Sequence, residues 1–209
     1  MKIIKKISII LIVLTCVSYT SKSVQFKGYV VGDVVADFSL KNIDDKMVSL
    51  KDFKNSRGVI IIFTSNTCSY SLAYEDKIIS LDNKYKNKGF PIIAINSNDP
   101  IVSPGDSYEK MQERAKEKSY TFPYLFDEDQ NVLLKFGVNK TPYAYVLEKR
   151  NDRMIIQYIG VIDDSFLGLN KVKRSFVEEA IASILNGKKP IISNTEVQAD
   201  GCTVRTKLK

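Results

Sequence analysis

Apolar and polar positions follow one another along the chain in blocks that predict strands and helices. Residues 58–63 and 91–96 each contain a continuous apolar run rich in β-branched side chains, as in strands buried on both faces of a mainly parallel sheet. After the first run, apolar side chains recur every three to four positions, which is typical of one face of a helix. These residues are Tyr74, Ile78, Leu81 and Tyr85. The pattern predicts a strand, a helix and a second strand in succession.

The remaining blocks complete this alternation. Residues 31–56 predict a lead-in hairpin, and a loop over 98–106 precedes a charged helix at 107–118. The elements expected after it are an extended piece at 122–126, a short helix at 130–136, strands at 143–147 and 154–161, and a helix at 172–185. This order predicts an α/β fold with a mixed central sheet and helices on both faces. We place the domain at residues 31–187 and interpret 188–209 as a polar tail.

The extreme N-terminus predicts an export signal over residues 1–21. Three lysines among the first six residues precede an apolar run at residues 7–17, which is too short to cross the roughly 30 Å of a bilayer core. Cys16 follows Val-Leu-Thr, a sequence similar to a bacterial lipobox. Two outcomes stay open, a cleaved soluble chain or a chain anchored to the membrane through lipidated Cys16. Both predict an extracytoplasmic location, in the periplasm or cell envelope, where disulfides persist.

Composition excludes several classes of function. Lys and Arg number 31 against 24 Asp and Glu, but charges of both signs alternate along most segments, which argues against a nucleic-acid partner. Histidine is absent, so His-based triads and most catalytic zinc sites are excluded. The sequence contains no glycine-rich phosphate loop and no cluster of metal ligands, so we expect no cofactor and no metal site.

Cys68 is the strongest candidate for chemistry. It follows the strand at 58–63 after the polar segment 64–67, and it precedes the predicted helix. Backbone N–H groups at a helix N-terminus favour a thiolate, and open α/β sheets place their sites at such turns. The alternative is an inert buried cysteine. The polar neighbours favour a reactive thiol.

Several motifs resemble the peroxiredoxin-like branch of the thioredoxin superfamily, the AhpC/TSA or redoxin type. The match covers about residues 31–206, and its motifs include VGDVVADFSL, IIIFTSNTCSY, NKTPYAYVL and GCTVRTK. The resemblance implies a thioredoxin-like fold, an active-site cysteine at Cys68, a cis peptide bond before Pro142, and thiol–disulfide or thiol–peroxide chemistry. It further implies that Thr67, Thr141 and Pro142 contact the substrate.

The chain departs from that family where a second thiol is expected. Ser65 stands where the branch commonly has the first cysteine of Cys-Asn-x-Cys, and Ser71 stands where a Cys-x-x-Cys site has its second. Cys202, in a terminal Gly-Cys segment similar to that of the family, is then the candidate resolving thiol. Since Ser65 and Ser71 supply no thiol, we hypothesise that mild oxidation links Cys68 to Cys202, within one chain or between two. The separation of 134 residues is no obstacle, because loop-closure entropy grows slowly with length. The alternatives are an unpaired Cys202 or a purely structural disulfide.

The peroxidase signature is also incomplete. Ser65 fits the hydroxyl of Pro-x-x-x-Thr/Ser-x-x-Cys, but Ile61 stands where the proline belongs. The peroxide-binding arginine of the family coincides with Pro142, and the nearest cation, Lys140, lacks the planar donor fork of an arginine. Both departures favour disulfide exchange over peroxide reduction.

These observations predict an exported thiol-disulfide oxidoreductase that uses a single active-site cysteine, Cys68, with Cys202 or a partner thiol resolving the intermediate. Its partners would be a protein thiol or disulfide and an external thiol reductant. One alternative is a peroxiredoxin-like peroxidase in which Ser65 hydrogen-bonds the peroxide substrate. Another is a non-catalytic thioredoxin-like binding module.

Overall fold

A seven-stranded mixed sheet forms the centre of the computed structural model, which describes residues 28–165, 172–190 and 200–207. Its strands are β1 (Ser39–Asn42), β2 (Met47–Ser49), β3 (Gly58–Thr64), β4 (Ile92–Asn96), β5 (Tyr124–Phe126), β7 (Tyr143–Arg150) and β8 (Arg153–Gly160). Two further strands, β6 (Lys140–Thr141) and β9 (Cys202–Thr203), form a separate pair. The helices are α1 (Ser69–Tyr85), α2 (Tyr108–Lys118), α3 (Asn131–Phe136) and α4 (Phe176–Leu185). The export signal and Cys16 lie outside the described residues.

The sheet has the order β2-β1-β5-β4-β3-β7-β8. Strand β3 runs parallel to β4, β4 runs parallel to β5, and the other neighbouring strands are antiparallel. The predicted mixed α/β sheet is therefore confirmed. Because β3 lies between β4 and β7, its end is held on both sides, and this end leads directly into the segment that contains Cys68.

Alternate side chains of β3 enter two different cores. Ile60 and Ile62 pack in a cluster with apolar residues of α1, α2 and α4. Val59, Ile61 and Phe63 pack in a second cluster on the opposite face, with α3 and the segment that leads to β1. This period of two explains why the strand is apolar from Gly58 to Phe63. The predicted arrangement of helices on both faces is confirmed.

Two predicted boundaries differ from the structure. The last helix was expected from residue 172, but α4 begins at Phe176. The carboxylate of Asp164 accepts the backbone N–H groups of Lys173 and Arg174, so these amides are bound outside the helix. In addition, β7 and β8 extend to a two-residue turn at residues 151 and 152, both with positive φ, as the hairpin twist requires.

The C-terminal residues differ most from the prediction. Residues 188–209 were interpreted as a polar tail beyond the domain, yet β9 pairs with β6 inside the described structure. Val204 is buried in the same cluster as α3. The boundary placed at residue 187 therefore separates from the domain a segment that packs against it. None of the helices within residues 28–165, 172–190 and 200–207 has the length and apolar character of a membrane span.

Candidate active site

Cys68 lies where the central strand passes into a helix. Strand β3 ends at Thr64, residues 65–67 form a short loop, and Cys68 is the N-cap residue of α1. Its side chain is only 2% exposed, and its carbonyl oxygen accepts the N–H of Leu72, which opens the helical hydrogen-bond pattern. The predicted position at a helix N-terminus is confirmed.

A disulfide joins Cys68 to Cys202. The two Cα atoms are 5.7 Å apart although 134 positions separate the residues in sequence, a distance that fits ordinary disulfide geometry. The bond predicted between these cysteines is present in the structure. The pairing of β9 with β6 places Cys202 opposite Thr141, so the tail crosses the site as an extended strand.

Thr141 and Pro142 border the disulfide. The peptide bond between them is cis, as the family resemblance implied. The carbonyl oxygen of Thr141 lies 3.3 Å from the Sγ of Cys68. Thr141 itself is buried. Thr141, Pro142 and the two cysteines therefore lie together. All four are candidate site residues from the sequence analysis.

Ser65 has a different environment from the one expected of a peroxide ligand. Its hydroxyl donates to the carboxylate of Asp106, at 3.1 Å. The same oxygen accepts the backbone N–H groups of Thr67 and Cys68, at 3.1 and 3.2 Å. The residue is 3% exposed. Ser65 thus shapes the loop before Cys68 with a hydroxyl that is already fully engaged.

Asp106 was not identified from the sequence, and it organises this loop. Its fully buried carboxylate accepts hydrogen bonds of 2.6–3.1 Å from six groups. The donors are Ser65 Oγ, Asn66 N, Thr67 Oγ1, Asn96 Nδ2, Asn98 Nδ2 and Ser103 Oγ. Burial alone would raise the pKa of Asp106, but the hydrogen bonds, first that from Thr67, outweigh it and lower the pKa. The group is therefore a buried carboxylate that is stable as the anion.

Thr67 is the most exposed residue of the loop, and its hydroxyl faces inward. It donates to Asp106 at 2.6 Å and lies 3.1 Å from the Ser103 hydroxyl. A Cβ at Gly105 would lie 2.6 Å from the Thr67 Cγ2 atom, so a larger residue at position 105 would force the Thr67 side chain to shift. Two asparagines flanking the end of β4, Asn96 and Asn98, are the signal in the sequence that a buried anion lies nearby.

Main-chain contacts hold the tail beyond Cys202. The Asn98 side chain accepts the Arg205 N–H at 2.7 Å, and the Asp99 N–H donates to the Arg205 carbonyl at 2.8 Å. Gln130 contacts the same segment through both ends of its amide. The Val204 N–H donates to the carbonyl of Asn139 at 3.0 Å. The side chains at positions 205 and 207 are exposed.

Potential metal ligands do not cluster among the described residues. The chain contains no histidine, and the described ranges hold no group of three or more Cys, Asp or Glu side chains placed to bind a metal ion. The site consists of a disulfide, a cis-proline turn and a buried carboxylate.

The fold, the cysteine at the start of α1 and the cis bond before Pro142 together define a member of the thioredoxin superfamily. The sequence profile of the AhpC/TSA family matches residues 31–165. The chain belongs to the AhpC/TSA family.

Individual relatives agree with this assignment. The thiol-disulfide oxidoreductase ResA of Geobacillus kaustophilus is 25% identical over 157 residues, which cover 72% of this chain and 84% of ResA. The chloroplastic peroxiredoxin Q of Gentiana triflora is 27% identical over 156 residues, covering 66% of this chain and 64% of that protein. Both kinds of thiol chemistry considered above thus occur among its relatives.

Solved structures support the fold. A hypothetical protein from Sinorhizobium meliloti 1021 superposes with a TM-score of 0.78 at 28% identity, covering 88% of this chain and 98% of that one. The thioredoxin domain of a thiol-disulfide oxidoreductase from Bacteroides vulgatus superposes with a TM-score of 0.52 at 18% identity, covering 64% of this chain and 91% of that one. The second likeness shows the thioredoxin fold alone.

Proposed function

We propose that this protein is a thiol-disulfide oxidoreductase in which Cys68 is the nucleophile and Cys202 the resolving thiol. The Cys68–Cys202 disulfide beside the cis Thr141–Pro142 bond is the observation that supports it most directly. In the reduced protein, the N-terminal amides of α1 favour the Cys68 thiolate, which is the attacking form. The similarity to ResA supports the same chemistry.

The proposed reaction transfers two electrons from the protein dithiol to a substrate disulfide. The Cys68 thiolate attacks one sulfur of the substrate, forms a mixed disulfide and releases the other sulfur as a thiolate. The Cys202 thiolate then attacks the Cys68 sulfur, which closes the Cys68–Cys202 disulfide and releases the second substrate thiolate. An external dithiol reductant restores the two protein thiols. Thr141 and Pro142, and Thr67 at the loop, are the proposed contacts for the substrate.

We place this activity outside the cytoplasm, because the N-terminal 21 residues have the pattern of an export signal and disulfides persist in oxidising compartments. Lipidation of Cys16 would hold the protein at the membrane, whereas cleavage after the signal would release it. Intact-mass measurement of the mature protein distinguishes the two forms.

Peroxide reduction is the second candidate, and the similarity to peroxiredoxin Q is the observation in its favour. It requires Ser65 to hydrogen-bond the peroxide. The Ser65 hydroxyl, however, donates to Asp106 and accepts two backbone N–H groups. A peroxide would have to compete with a buried carboxylate for that proton. This supports ranking disulfide exchange first.

Reduction of a peptide disulfide tests the proposal. The reduced wild-type protein should transfer two electrons to the peptide, and Cys68→Ser should transfer none. Cys202→Ser should stop at a mixed disulfide between Cys68 and the peptide, detected as one mass adduct. Ser69→Ala, a change at the exposed neighbour of Cys68, is the control and should react as the wild type does.

The same preparation separates the alternatives. Hydrogen peroxide consumption that is faster than peptide reduction and is lost in Cys68→Ser would establish the peroxidase instead. Absence of both reactions would leave the non-catalytic binding module.

The reactivity of Cys68 offers an independent check. In reduced Cys202→Ser, the alkylation rate of Cys68 against pH should show a pKa below that of an ordinary cysteine, because the helix N-terminus stabilises the thiolate. A midpoint at or above the ordinary cysteine value would contradict the role of Cys68 as nucleophile.

A further inference from the structure

We infer that Asn98 and Gln130 are positioning residues for the resolving step, because their side-chain amides bind the main chain of residues 205–207 and hold Cys202 at Cys68. This inference rests on the proposed function, in which Cys202 must return to the Cys68 sulfur after the substrate has reacted. Together the two amides form what we call the tail clasp.

Asn98 connects the tail to the loop that carries the nucleophile. Its Oδ1 accepts the Arg205 N–H at 2.7 Å. Its Nδ2 donates to the Asp106 carboxylate at 2.8 Å and to Ser65 Oγ at 3.0 Å. Ser65 Oγ in turn accepts the N–H of Cys68. One buried side chain, 6% exposed, therefore links the loop of Cys68 to the segment of Cys202.

Gln130 holds the tail from the other side. Its Nε2 donates to the Arg205 carbonyl at 3.0 Å and to the Ser97 carbonyl at 2.7 Å. Its Oε1 accepts the Lys207 N–H at 3.0 Å. Gln130 is also 6% exposed, and the donor and the acceptor of its amide both have a partner in the tail. The bond to Ser97 fixes the Nε2 atom in place.

The contacts of the tail clasp are compatible with a C-terminal segment that detaches from the site and binds again. They involve main-chain atoms at positions 205 and 207, whose side chains are exposed. Release of the tail therefore disturbs one packed side chain, Val204, and one exposed ion pair, between Lys207 Nζ and Asp129 at 3.7 Å. When the tail leaves, two buried amides lose partners, and unsatisfied buried polar groups are unfavourable. Return to the same register is therefore favoured, which raises the effective concentration of Cys202 at Cys68.

The glutathione equilibrium of the disulfide measures this effective concentration. In that reaction the Cys68–Cys202 disulfide and two reduced glutathione molecules give the protein dithiol and oxidised glutathione. On the tail side, Arg205→Pro and Lys207→Pro each remove one clasp hydrogen bond, because proline lacks the donating N–H, and each should lower the effective concentration about five- to tenfold. On the domain side, Gln130→Ala removes two bonds to the tail and should lower it further.

A double-mutant cycle distinguishes a clasp from general structural support. Lys207→Pro should lower the effective concentration in the wild-type background but have little effect in Gln130→Ala, because the partner of its N–H is already gone. Two controls complete the set. Gln112→Ala removes a similar amide, which donates to the Ile43 carbonyl, and Thr206→Pro places proline between the two clasped positions.

The outcomes separate this inference from the proposed function. Equal glutathione equilibrium constants in the wild type, Gln130→Ala and Arg205→Pro would overturn the tail clasp and leave the function untouched. Additive effects of Gln130→Ala and Lys207→Pro, or an equal loss in Thr206→Pro, would also overturn it. If wild-type Cys68 formed no mixed disulfide with the peptide, the proposed function would fail, while the glutathione equilibrium would still report on the clasp.

Discussion

The segments that carry the two cysteines are held in contrasting ways. The loop before Cys68 is bound to a fully buried carboxylate, Asp106, by its side chains and backbone. The segment after Cys202 is bound almost entirely through its main chain, with Val204 as its buried side chain. The first arrangement holds Cys68 through a buried charged group. The second holds Cys202 through neutral main-chain contacts and one buried side chain.

The difference has a physical basis in what each segment buries. Hydrogen bonds to an ionised buried group are stronger than those between neutral groups, and leaving such a group without donors is costly. Hydrogen bonds between the neutral tail main chain and the Asn98 and Gln130 amides each contribute only about 0.5–1.5 kcal/mol net, less than the bonds to the buried carboxylate. A fixed nucleophile and a detachable resolving thiol are what the proposed two-step exchange requires.

The largest expected effect follows from removing the buried carboxylate. Asp106→Ala should reduce the unfolding free energy of the reduced protein by about 3 kcal/mol, because six donors lose a charged partner in the interior. Urea unfolding of the reduced protein measures it. Asp76→Ala, at an exposed position of α1, should change the free energy by less than about 0.5 kcal/mol. Similar losses in the two variants would contradict the anchoring role of Asp106.

Acidification should reveal how much the ionised Asp106 carboxylate stabilises the fold. Burial raises the pKa of Asp106, but hydrogen bonds from Thr67 and its neighbours lower it below the ordinary value of 3.8. A lowered carboxylate pKa stabilises the folded state above the ordinary value, and the stabilisation is lost as the pH falls through the folded-state pKa. Between about pH 4 and pH 2, the wild type should therefore lose more stability than Asp106→Asn. Parallel profiles would show that this carboxylate is not the anchor.

The tail should respond to a smaller change. Val204→Ala removes apolar contact worth roughly 1–2 kcal/mol, so the detached form of the reduced tail should become about tenfold more populated. Trypsin cleavage after Arg205, followed by mass spectrometry of the reduced protein, reports that population. Val172→Ala, the same change at an exposed position, serves as the control. Cleavage of Val204→Ala at the wild-type rate would mean that the main chain alone holds the tail.

The smallest effect is expected at Thr67. Thr67→Val keeps the shape of the side chain and removes one of the donors to Asp106, so the unfolding free energy should fall by about 1 kcal/mol. Urea unfolding and peptide reduction should be measured on the same samples. A loss of peptide reduction without a loss of stability would assign Thr67 to substrate binding instead of to the anchor of the loop.

The sequence by itself determined the sheet, the main helices and the position of Cys68. Continuous apolar runs at β3 and β4 and the periodicity of α1 are local patterns, and a cysteine between a buried strand and a helix is necessarily near the helix N-terminus. The cis bond before Pro142 was expected from resemblance to the AhpC/TSA family, since the dipeptide alone does not distinguish cis from trans.

Only the tertiary structure decided which polar groups meet. Ser65 and Asp106 are 41 positions apart, and Asn98 and Arg205 are 107 apart. No local pattern in the sequence indicates these pairs. They form because the parallel strands β3 and β4 end at the same edge of the sheet, which brings distant residues together. The tail is held mainly by its backbone, and backbone N–H and C=O groups are the same whatever the side chains. Its side chains can therefore be polar, and its sequence shows no sign that it packs against the domain. Side-chain patterns report burial of side chains, so a segment held through N–H and C=O groups becomes visible only when the fold brings its partners together.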